Sequence, residues 1–103
     1  MKVIFHVDEL KKWDLTLTNV KNFLTEVSDA NIEVLANSEA VKYYISDQAD
    51  QLEAIGAKFL ACRNALNSNQ IAEENLASFI EVVPAGVVEL AKKQAMGYAY
   101  IRP

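Results

Sequence analysis

Hydrophobic residues change their spacing along this chain, and the changes divide it into alternating predicted strands and helices. Residues 3–7 (Val-Ile-Phe-His-Val) form a continuous, partly β-branched run, which is typical of a strand covered on both faces. Comparable short runs predict further strands at residues 32–36, 57–61, 80–83 and 98–101. The run at 57–61 leads directly into Cys62.

The first and the last predicted helices have the clearest apolar faces. The first helix carries its apolar face at Leu17, Val20, Leu24 and Val27, and Thr16 or Thr18 is expected to cap it. The last helix is expected to have Pro84 in its first turn and to end at Gly97. It presents an apolar stripe at Val87, Val88, Ala91 and Ala95, with Lys92 and Lys93 near its negative end.

Shorter helices are predicted in the remaining connections. Ser38 is expected to cap one of them, which carries Ala40, Val41 and Tyr44. Asp47 is expected to cap another, which ends at Gly56, where a left-handed residue is needed. A further short helix is predicted at residues 73–79, after a polar loop at residues 67–70.

The order of these elements predicts an α/β fold. Strands that alternate with helices form parallel or mostly parallel sheets, with helices covering both faces. A chain of 103 residues, 51% of them hydrophobic and 23% charged, is typical of one packed domain, and residues 1–103 are assigned to it. Right-handed crossovers restrict the topology, but they do not determine the strand order.

Charge and hydropathy exclude several classes of partner. The chain has ten Lys and Arg residues against fourteen Asp and Glu, a net charge of −4, and no basic run. It is therefore not expected to bind nucleic acid. No window approaches the roughly 18 consecutive apolar residues of a membrane span, so no membrane partner is expected. The N-terminal apolar run meets His6 and Asp8 too soon for a secretory signal, which makes the cytoplasm the expected location.

The residue inventory excludes most metal and cofactor chemistry. One cysteine and one histidine can form neither an internal disulfide nor a zinc site. The three glycines are scattered, so no glycine-rich nucleotide loop is present, and we expect no metal and no cofactor. His6 lies inside the first predicted strand and is interpreted as a hydrogen-bonded core or interface histidine.

Candidate functional residues follow from the ends of the predicted strands. In open parallel sheets, ligands and reacting groups collect in the crevice beyond the carboxyl ends of the strands. The residues that follow the first four strands are Asp8 and Glu9, Asn37 and Ser38, Cys62 with Arg63 and Asn64, and residues 84–86. Asn37, Ser38 and Asn64 also have a simpler interpretation as caps and turn formers.

Cys62 offers the most chemistry among these candidates. If residues 63–66 begin a helical turn, its free amides would surround the sulfur and favour the thiolate, and Arg63 would add positive charge. A thiolate is what a nucleophilic or sulfur-carrying cysteine needs. Asp8 could accept the thiol proton, or it could be a solvated turn residue. The alternative interpretation of Cys62 is a small, buried apolar side chain.

Six segments share a pattern with a known family, in the same order along nearly the whole chain: residues 2–9, 19–22, 33–37, 61–66, 82–90 and 97–103. Together they resemble the small, largely uncharacterised branch of the DsrE/DsrF-like family. The resemblance implies a three-layer α/β/α domain with a mostly parallel five-stranded sheet, and a homo-oligomer, either a trimer or a hexamer. It also implies sulfur relay through a persulfide on Cys62, whereas Arg63 and Asn64 match only the pattern of this branch.

Two functional hypotheses follow. In the first, the protein is a cytoplasmic sulfur carrier or sulfurtransferase-like protein, and Cys62 accepts a sulfane sulfur from a donor protein and passes it to another thiol. Asp8 or Asn64 would orient the exchange, in a pocket formed by the connections after strands one, two and three. In the second, the protein is a non-catalytic oligomeric module in which Cys62 is packing. It would bind a small ligand or a protein through backbone amides, Asn37, Ser38 and Asn64.

Overall fold

The computed structural model describes residues 1–103 and contains one sheet of five parallel strands. The strands are β1 (Lys2–Val7), β2 (Asn31–Ala36), β3 (Lys58–Cys62), β4 (Glu81–Val83) and β5 (Ala99–Ile101). Each of them agrees with a predicted strand to within one residue at either end. The apolar runs locate the strands correctly because a strand that is covered on both faces buries successive side chains. The predicted α/β fold is confirmed.

Three α-helices and four 3₁₀ segments connect the strands. The α-helices are α1 (Trp13–Glu26), α2 (Arg63–Ser68) and α3 (Gly86–Ala95). The 3₁₀ segments span Leu10–Lys12, Ser38–Ile45, Ala49–Ile55 and Glu73–Asn75. None of the helices is long and apolar enough to cross a membrane.

The strand order is β4-β3-β2-β1-β5, so the first four strands follow one another across the sheet and the fifth returns to the far side of β1. One face of the sheet, here the α1 face, is covered by α1, the two longer 3₁₀ segments and α2. The opposite face, the α3 face, is covered by α3, which carries the chain from one edge strand back to the other. The connections from β1 to β4 cross the sheet in one direction on the α1 face, and α3 crosses it in the other direction on the opposite face. All crossovers therefore have the same handedness.

The α1 face carries the main hydrophobic core, a cluster of 21 buried residues. The indole of Trp13 stacks on Tyr43 with 4.4 Å between ring centroids, and its N–H donates to the Ala40 carbonyl at 2.9 Å. The hydroxyl of Tyr44 donates to the Leu60 carbonyl at 2.9 Å. Burial raises the pKa of Tyr44 well above its ordinary value, so this phenol keeps its proton. The aromatic side chains of this face therefore satisfy their polar atoms inside the core.

The α3 face carries a smaller apolar cluster of six residues: Ile4, Leu35, Leu60, Val83, Leu90 and Tyr98. A polar network borders it at the amino ends of the strands. Glu33 Oε2 accepts hydrogen bonds from Lys93 Nζ at 2.8 Å and from the Tyr98 hydroxyl at 3.2 Å. Glu33 Oε1 is buried and has no hydrogen-bond partner in the chain. This face therefore combines little apolar burial with buried charge.

The predicted N-terminal caps of the first two helical segments are wrong. α1 begins at Trp13, with Lys12 in the cap position and no side-chain cap. The hydroxyl of Thr16 instead donates to the Lys12 carbonyl at 2.8 Å, inside the helix, and Thr18 is also helical. Ser38 is the first residue of its 3₁₀ segment, with a left-handed φ of 49°, and makes no cap hydrogen bond. Contacts with the core, rather than local capping, fix where these segments start.

Other predicted helix ends have mixed outcomes. Asp47 is not a cap, because Gln48 holds that position before the 3₁₀ segment Ala49–Ile55. Pro84 lies before the cap residue of α3 and not in its first turn. The predicted glycine ends are confirmed, since Gly56 and Gly97 follow their helices with φ of 93° and 92°, the left-handed region that glycine adopts without strain.

The region after β3 differs from the prediction. α2 occupies residues 63–68 and so takes in part of the predicted polar loop. The helix predicted at residues 73–79 is reduced to the 3₁₀ turn Glu73–Asn75. Ala65 and Leu66 of α2 are buried in the main core, whereas the 3₁₀ turn has no buried residue. Helix formation here follows burial of an apolar side, which the turn does not provide.

The apolar stripe predicted on α3 faces away from the sheet. Val87 and Val88 are 68% and 50% exposed, and Ala91 and Ala95 are exposed as well. The helix instead packs on the sheet through Gly86 and Leu90, and Lys93 lies on this side because Glu33 pairs with it. An apolar helix face is therefore uncovered in the single chain.

Candidate functional site

A crevice opens where the connections after β3 and β4 leave the sheet in opposite directions. α2 continues β3 onto the α1 face, whereas α3 continues β4 onto the α3 face. Such a divergence between neighbouring strands is a topological switch point, where open α/β sheets bind their ligands. The resulting cavity has a volume of about 370 Å³ and is lined by Asn37, Ser38, Cys62, Asn64, Ala65, Ser68, Ala85, Gly86 and Val87.

Cys62 is the last residue of β3, and 6% of its surface is exposed. The backbone N–H of Gly86 donates to its Sγ at 3.3 Å. α2 begins at the residue after Cys62 and α3 begins at Gly86, and neither helix has a side-chain cap on its first turn. Helix N-termini present unpaired N–H groups and partial positive charge, and the Gly86 amide at the start of α3 is the one that contacts the sulfur.

Gly86 allows the start of α3 to pack directly on the strand ends. A Cβ atom at this position would lie 3.1 Å from Leu35 Cδ2, 3.3 Å from Cys62 Cβ and 3.4 Å from Asn37 Cβ. These distances lie at or below the short end of ordinary van der Waals contacts, so a side chain here would require a neighbour to shift by a few tenths of an ångström. The absence of a side chain therefore keeps the Gly86 amide within reach of the thiol.

Asn37 lies next to Cys62 across the two central strands. The last paired residues of β2 and β3 are Ala36 and Ala61, and each of the two side chains follows directly after them. Asn37 Oδ1 lies 2.9 Å from His6 Nε2, and His6 Nδ1 lies 2.6 Å from the Tyr100 hydroxyl. Sequence reasoning did not include His6 in the site. The position of His6 in β1 could have indicated its role, because strand alternation puts its side chain on the same face of the sheet as Leu35, its partner in β2.

The other polar residues of the cavity come from the segments after β2 and β3. Ser38 and Asn64 both line it, as the strand-end rule predicted. The backbone at Ser38 is held by a side chain of the adjoining loop, since Asn69 Nδ2 donates to the Ser38 carbonyl at 3.2 Å and to the Ala65 carbonyl at 2.8 Å. The predicted residues Asn37, Ser38, Cys62 and Asn64 are therefore brought together.

Asp8 and Arg63 do not line the cavity. Asp8 Oδ2 accepts from Arg102 at 2.8 Å, at the ends of β1 and β5. The Arg63 side chain binds Glu73 at 2.7 Å, which leaves its charge paired at the surface instead of next to the sulfur. The hydrogen bond and charge of Glu73 raise the pKa of Arg63. The cavity walls come from the connections after β2, β3 and β4, and not after β1, because β3 has β2 and β4 as its neighbours.

A second cavity, of about 420 Å³, lies between α1 and the β1–β5 edge. It is mostly apolar, with Phe5, Phe23, Val27 and Ile101 among its lining residues. It contains no thiol or histidine. No group of three or more His, Cys, Asp or Glu side chains in the structure could hold a metal ion. The Cys62 cavity is therefore where nucleophile and hydrogen-bond donors meet.

A lone thiol beside two helix N-termini, at the switch point of a parallel sheet, places the chain among small α/β proteins with a strand-end cysteine. The chain belongs to the DsrE/DsrF-like family, whose sequence model matches residues 20–103. No curated protein matches the chain.

Two solved structures share the fold over their whole length. The structure of MTH1491 from Methanobacterium thermoautotrophicum, a protein of unknown function, is 31% identical, with a TM-score of 0.89 over 99% of this chain and 98% of that one. The ychN protein from E. coli is 14% identical, with a TM-score of 0.80 over 100% and 99% of the two chains. Both confirm the DsrE/F-like α/β fold predicted from the sequence.

Proposed function

We propose that this protein is a sulfur carrier or sulfurtransferase-like protein that holds a sulfane sulfur as a persulfide on Cys62. Membership of the DsrE/DsrF-like family supports the proposal at the level of the family. The observation that carries it is the Gly86 N–H, which donates to Cys62 Sγ at 3.3 Å inside a cavity at the switch point. A negatively charged sulfur in this position gains the hydrogen bond from the Gly86 amide and the favourable field of α3.

The proposed reaction is a thiol exchange without net oxidation. The Cys62 thiolate attacks the outer sulfur of a donor persulfide, so a bond forms from Sγ to that sulfur while the sulfur–sulfur bond of the donor breaks. The donor leaves as a thiolate with the electron pair and takes up the proton that Cys62 lost. Transfer to an acceptor thiol repeats these steps with the roles exchanged. The donor and the acceptor are cytoplasmic thiols or persulfides, on proteins or on small molecules.

We further propose that the protein is a homo-oligomer, a trimer or a hexamer, and that copies meet through the outer side of α3. The support is the exposed apolar surface of this helix and its end, with Val87, Val88 and Met96 at 68%, 50% and 57% exposure. Burial of such a surface between copies is favourable. Size-exclusion chromatography with light scattering tests the proposal, and a monomeric mass at micromolar concentration would contradict it.

Sulfur loading tests the proposed function directly. Incubation with sodium polysulfide followed by intact mass measurement should add the mass of one or more sulfur atoms to the wild-type chain, and cyanide should remove it. Cys62→Ser, which changes the single sulfur of the side chain to oxygen, should fold normally and show no adduct. A Ser variant that loads like the wild type, or a folded wild type that takes up no sulfur, would contradict the proposal.

The second candidate is a non-catalytic ligand-binding module, favoured by the exposure of only 6% at Cys62. Alkylation by iodoacetamide separates the two candidates, because the chain has one thiol. Rapid labelling of the folded protein supports sulfur transfer. Labelling that is confined to unfolded protein supports the binding module, with Cys62 as packing.

A further inference from the structure

A chain of hydrogen bonds leads from the edge of the sheet to the cavity that holds Cys62. It runs from the Tyr100 hydroxyl to His6 Nδ1 over 2.6 Å, and from His6 Nε2 to Asn37 Oδ1 over 2.9 Å. Asn37 lines the cavity and is the cross-strand neighbour of Cys62. The reaction proposed above makes no use of His6 or Tyr100.

The chemistry of these groups fixes which atoms donate. An amide oxygen only accepts hydrogen bonds, so His6 must carry a proton on Nε2 and donate it to Asn37 Oδ1. In the neutral imidazole Nδ1 is then an acceptor, and the Tyr100 hydroxyl donates to it. With Oδ1 occupied, Asn37 has its NH₂ group left, and the structure gives Nδ2 no hydrogen-bond partner within the chain.

We infer that His6 is a positioning residue: by holding Oδ1 of Asn37, it directs the NH₂ group of that side chain to a negatively charged group beside Cys62. Under the proposed function, on which this inference rests, the charged group is the outer sulfur of the persulfide. Asn37 then donates from the end of β2, one residue after the strand, and the Gly86 amide donates from α3, so two neutral donors meet at the sulfur from different elements. Donors held in place before the charge arrives stabilise it without reorganisation.

A pair of alkylating reagents tests this inference. Iodoacetate and iodoacetamide attack the same Sγ, but only iodoacetate carries a negative charge. The ratio of their rates therefore reports on anion binding at the cavity, and a general change in the exposure of Cys62 cancels from it. We expect the iodoacetate-to-iodoacetamide ratio to fall about tenfold in Asn37→Ala, the size of effect that one hydrogen bond to a charged group produces.

Variants of His6 show whether it acts through Asn37. His6→Leu removes the donor to Oδ1 and should lower the ratio by a similar factor, whereas His6→Gln keeps an N–H donor and should preserve most of it. In the double variant His6→Leu/Asn37→Ala the ratio should equal that of Asn37→Ala alone, because the two residues act as one unit. An unchanged ratio in His6→Leu overturns the inference, and so does a further fall in the double variant.

Sulfur loading of the same variants separates this inference from the proposed function. Normal loading of the wild type, with slower loading in His6→Leu and recovery in His6→Gln, supports both. Normal loading in every variant, together with an unchanged reagent ratio, overturns only the role of His6. A wild type that shows the anion preference but takes up no sulfur overturns the sulfur-carrier proposal and leaves the positioning of Asn37 by His6 supported.

Discussion

On the α1 face of the sheet, 21 buried residues form one hydrophobic cluster, whereas on the α3 face the apolar cluster has six residues and polar side chains border it. The same strands supply both faces through the alternation of their side chains. The hydrogen-bonded side chains of Tyr100, His6 and Asn37 lie towards the carboxyl ends of the strands on the α3 face, and the Glu33 network lies towards the amino ends. Cys62 belongs to the cluster of 21 residues and reaches the α3 side through the Gly86 amide, which donates to its Sγ.

The residues that stabilise the fold and the residues that surround the thiol are therefore largely different sets within this small domain. The α1 face is covered by the three connections that join β1 to β4, and it contains large aromatic side chains, so most of the apolar burial that stabilises the fold occurs there. The α3 face needs only one helix to cover it, and it carries the imidazole of His6 and the amide of Asn37 beside the cavity that holds Cys62. We therefore expect substitutions on the α1 face to act mainly on stability, and those beside Cys62 mainly on reactivity.

The largest effect is expected from Trp13→Ala. The change removes a side chain that is 1% exposed, its stacking on Tyr43 and its hydrogen bond to Ala40. We expect the free energy of unfolding to fall by about 4 kcal/mol, the usual range for truncation of a buried aromatic residue. Urea denaturation measures the change. Leu15→Ala in the same helix, at a position that is 46% exposed, is the matched control and should change the free energy of unfolding by less than about 1 kcal/mol.

A somewhat smaller effect is expected from Lys93→Met on the α3 face. This change leaves the buried Glu33 carboxylate without its cation, and we expect a loss of about 3 kcal/mol in the free energy of unfolding. The double variant Glu33→Leu/Lys93→Met replaces the pair by apolar side chains and should recover most of that loss. A double variant as unstable as Lys93→Met alone would show that the buried charges are not what limits stability on this face.

The smallest of these effects is a decline of stability in alkaline solution. Burial and the Glu33 charge raise the pKa of Tyr98. Burial lowers the pKa of Lys93, but the hydrogen bond and charge of Glu33 outweigh it, so this pKa is also raised. Both groups hold their protons more tightly when folded. Their contribution to stability is therefore complete below the unfolded-state values of about 10 and is lost as the pH rises through the folded-state values.

Urea denaturation between about pH 8 and pH 11 measures this decline. Tyr98→Phe removes one of the two titrating groups and should make the decline shallower. Phenylalanine keeps the ring of Tyr98 in the apolar cluster, so packing is preserved in the comparison. A decline of equal steepness in both proteins would assign the alkaline loss of stability to groups outside this network.

The sequence predicts the strands of this fold better than it predicts the faces of its helices. Continuous apolar runs locate every strand, but the strand order requires knowledge of which face each connection takes. The sequence pattern predicts an apolar stripe on α3 that includes Val87 and Val88, and this stripe is exposed because Leu90 and the Lys93–Glu33 pair lie on the sheet side. The pattern of hydrophobic residues along the sequence does not show that Lys93 pairs with Glu33, so it cannot predict which side of α3 faces the sheet.

The candidate site shows the same limit. The strand-end rule selected Cys62, Asn37, Ser38 and Asn64, which line one cavity, because parallel strands end at one edge. The rule also selected Asp8 and Arg63, which are held elsewhere by Arg102 and Glu73. For His6 the sequence predicts a hydrogen-bonded core or interface residue. It is hydrogen-bonded, but its partners, Asn37 and Tyr100, are far away in the sequence, and nothing local indicates them.

The bare backbone at Gly86 has a consequence for which walls of the cavity can be redesigned. A Cβ atom at position 86 meets Leu35, Cys62 and Asn37 at 3.1 to 3.4 Å, so a side chain on this wall requires these neighbours to shift. Position 87 lines the same cavity with a side chain that is 68% exposed. A substitution at position 87 can therefore alter the size and polarity of the cavity opening, while the amide contact to the sulfur stays in place.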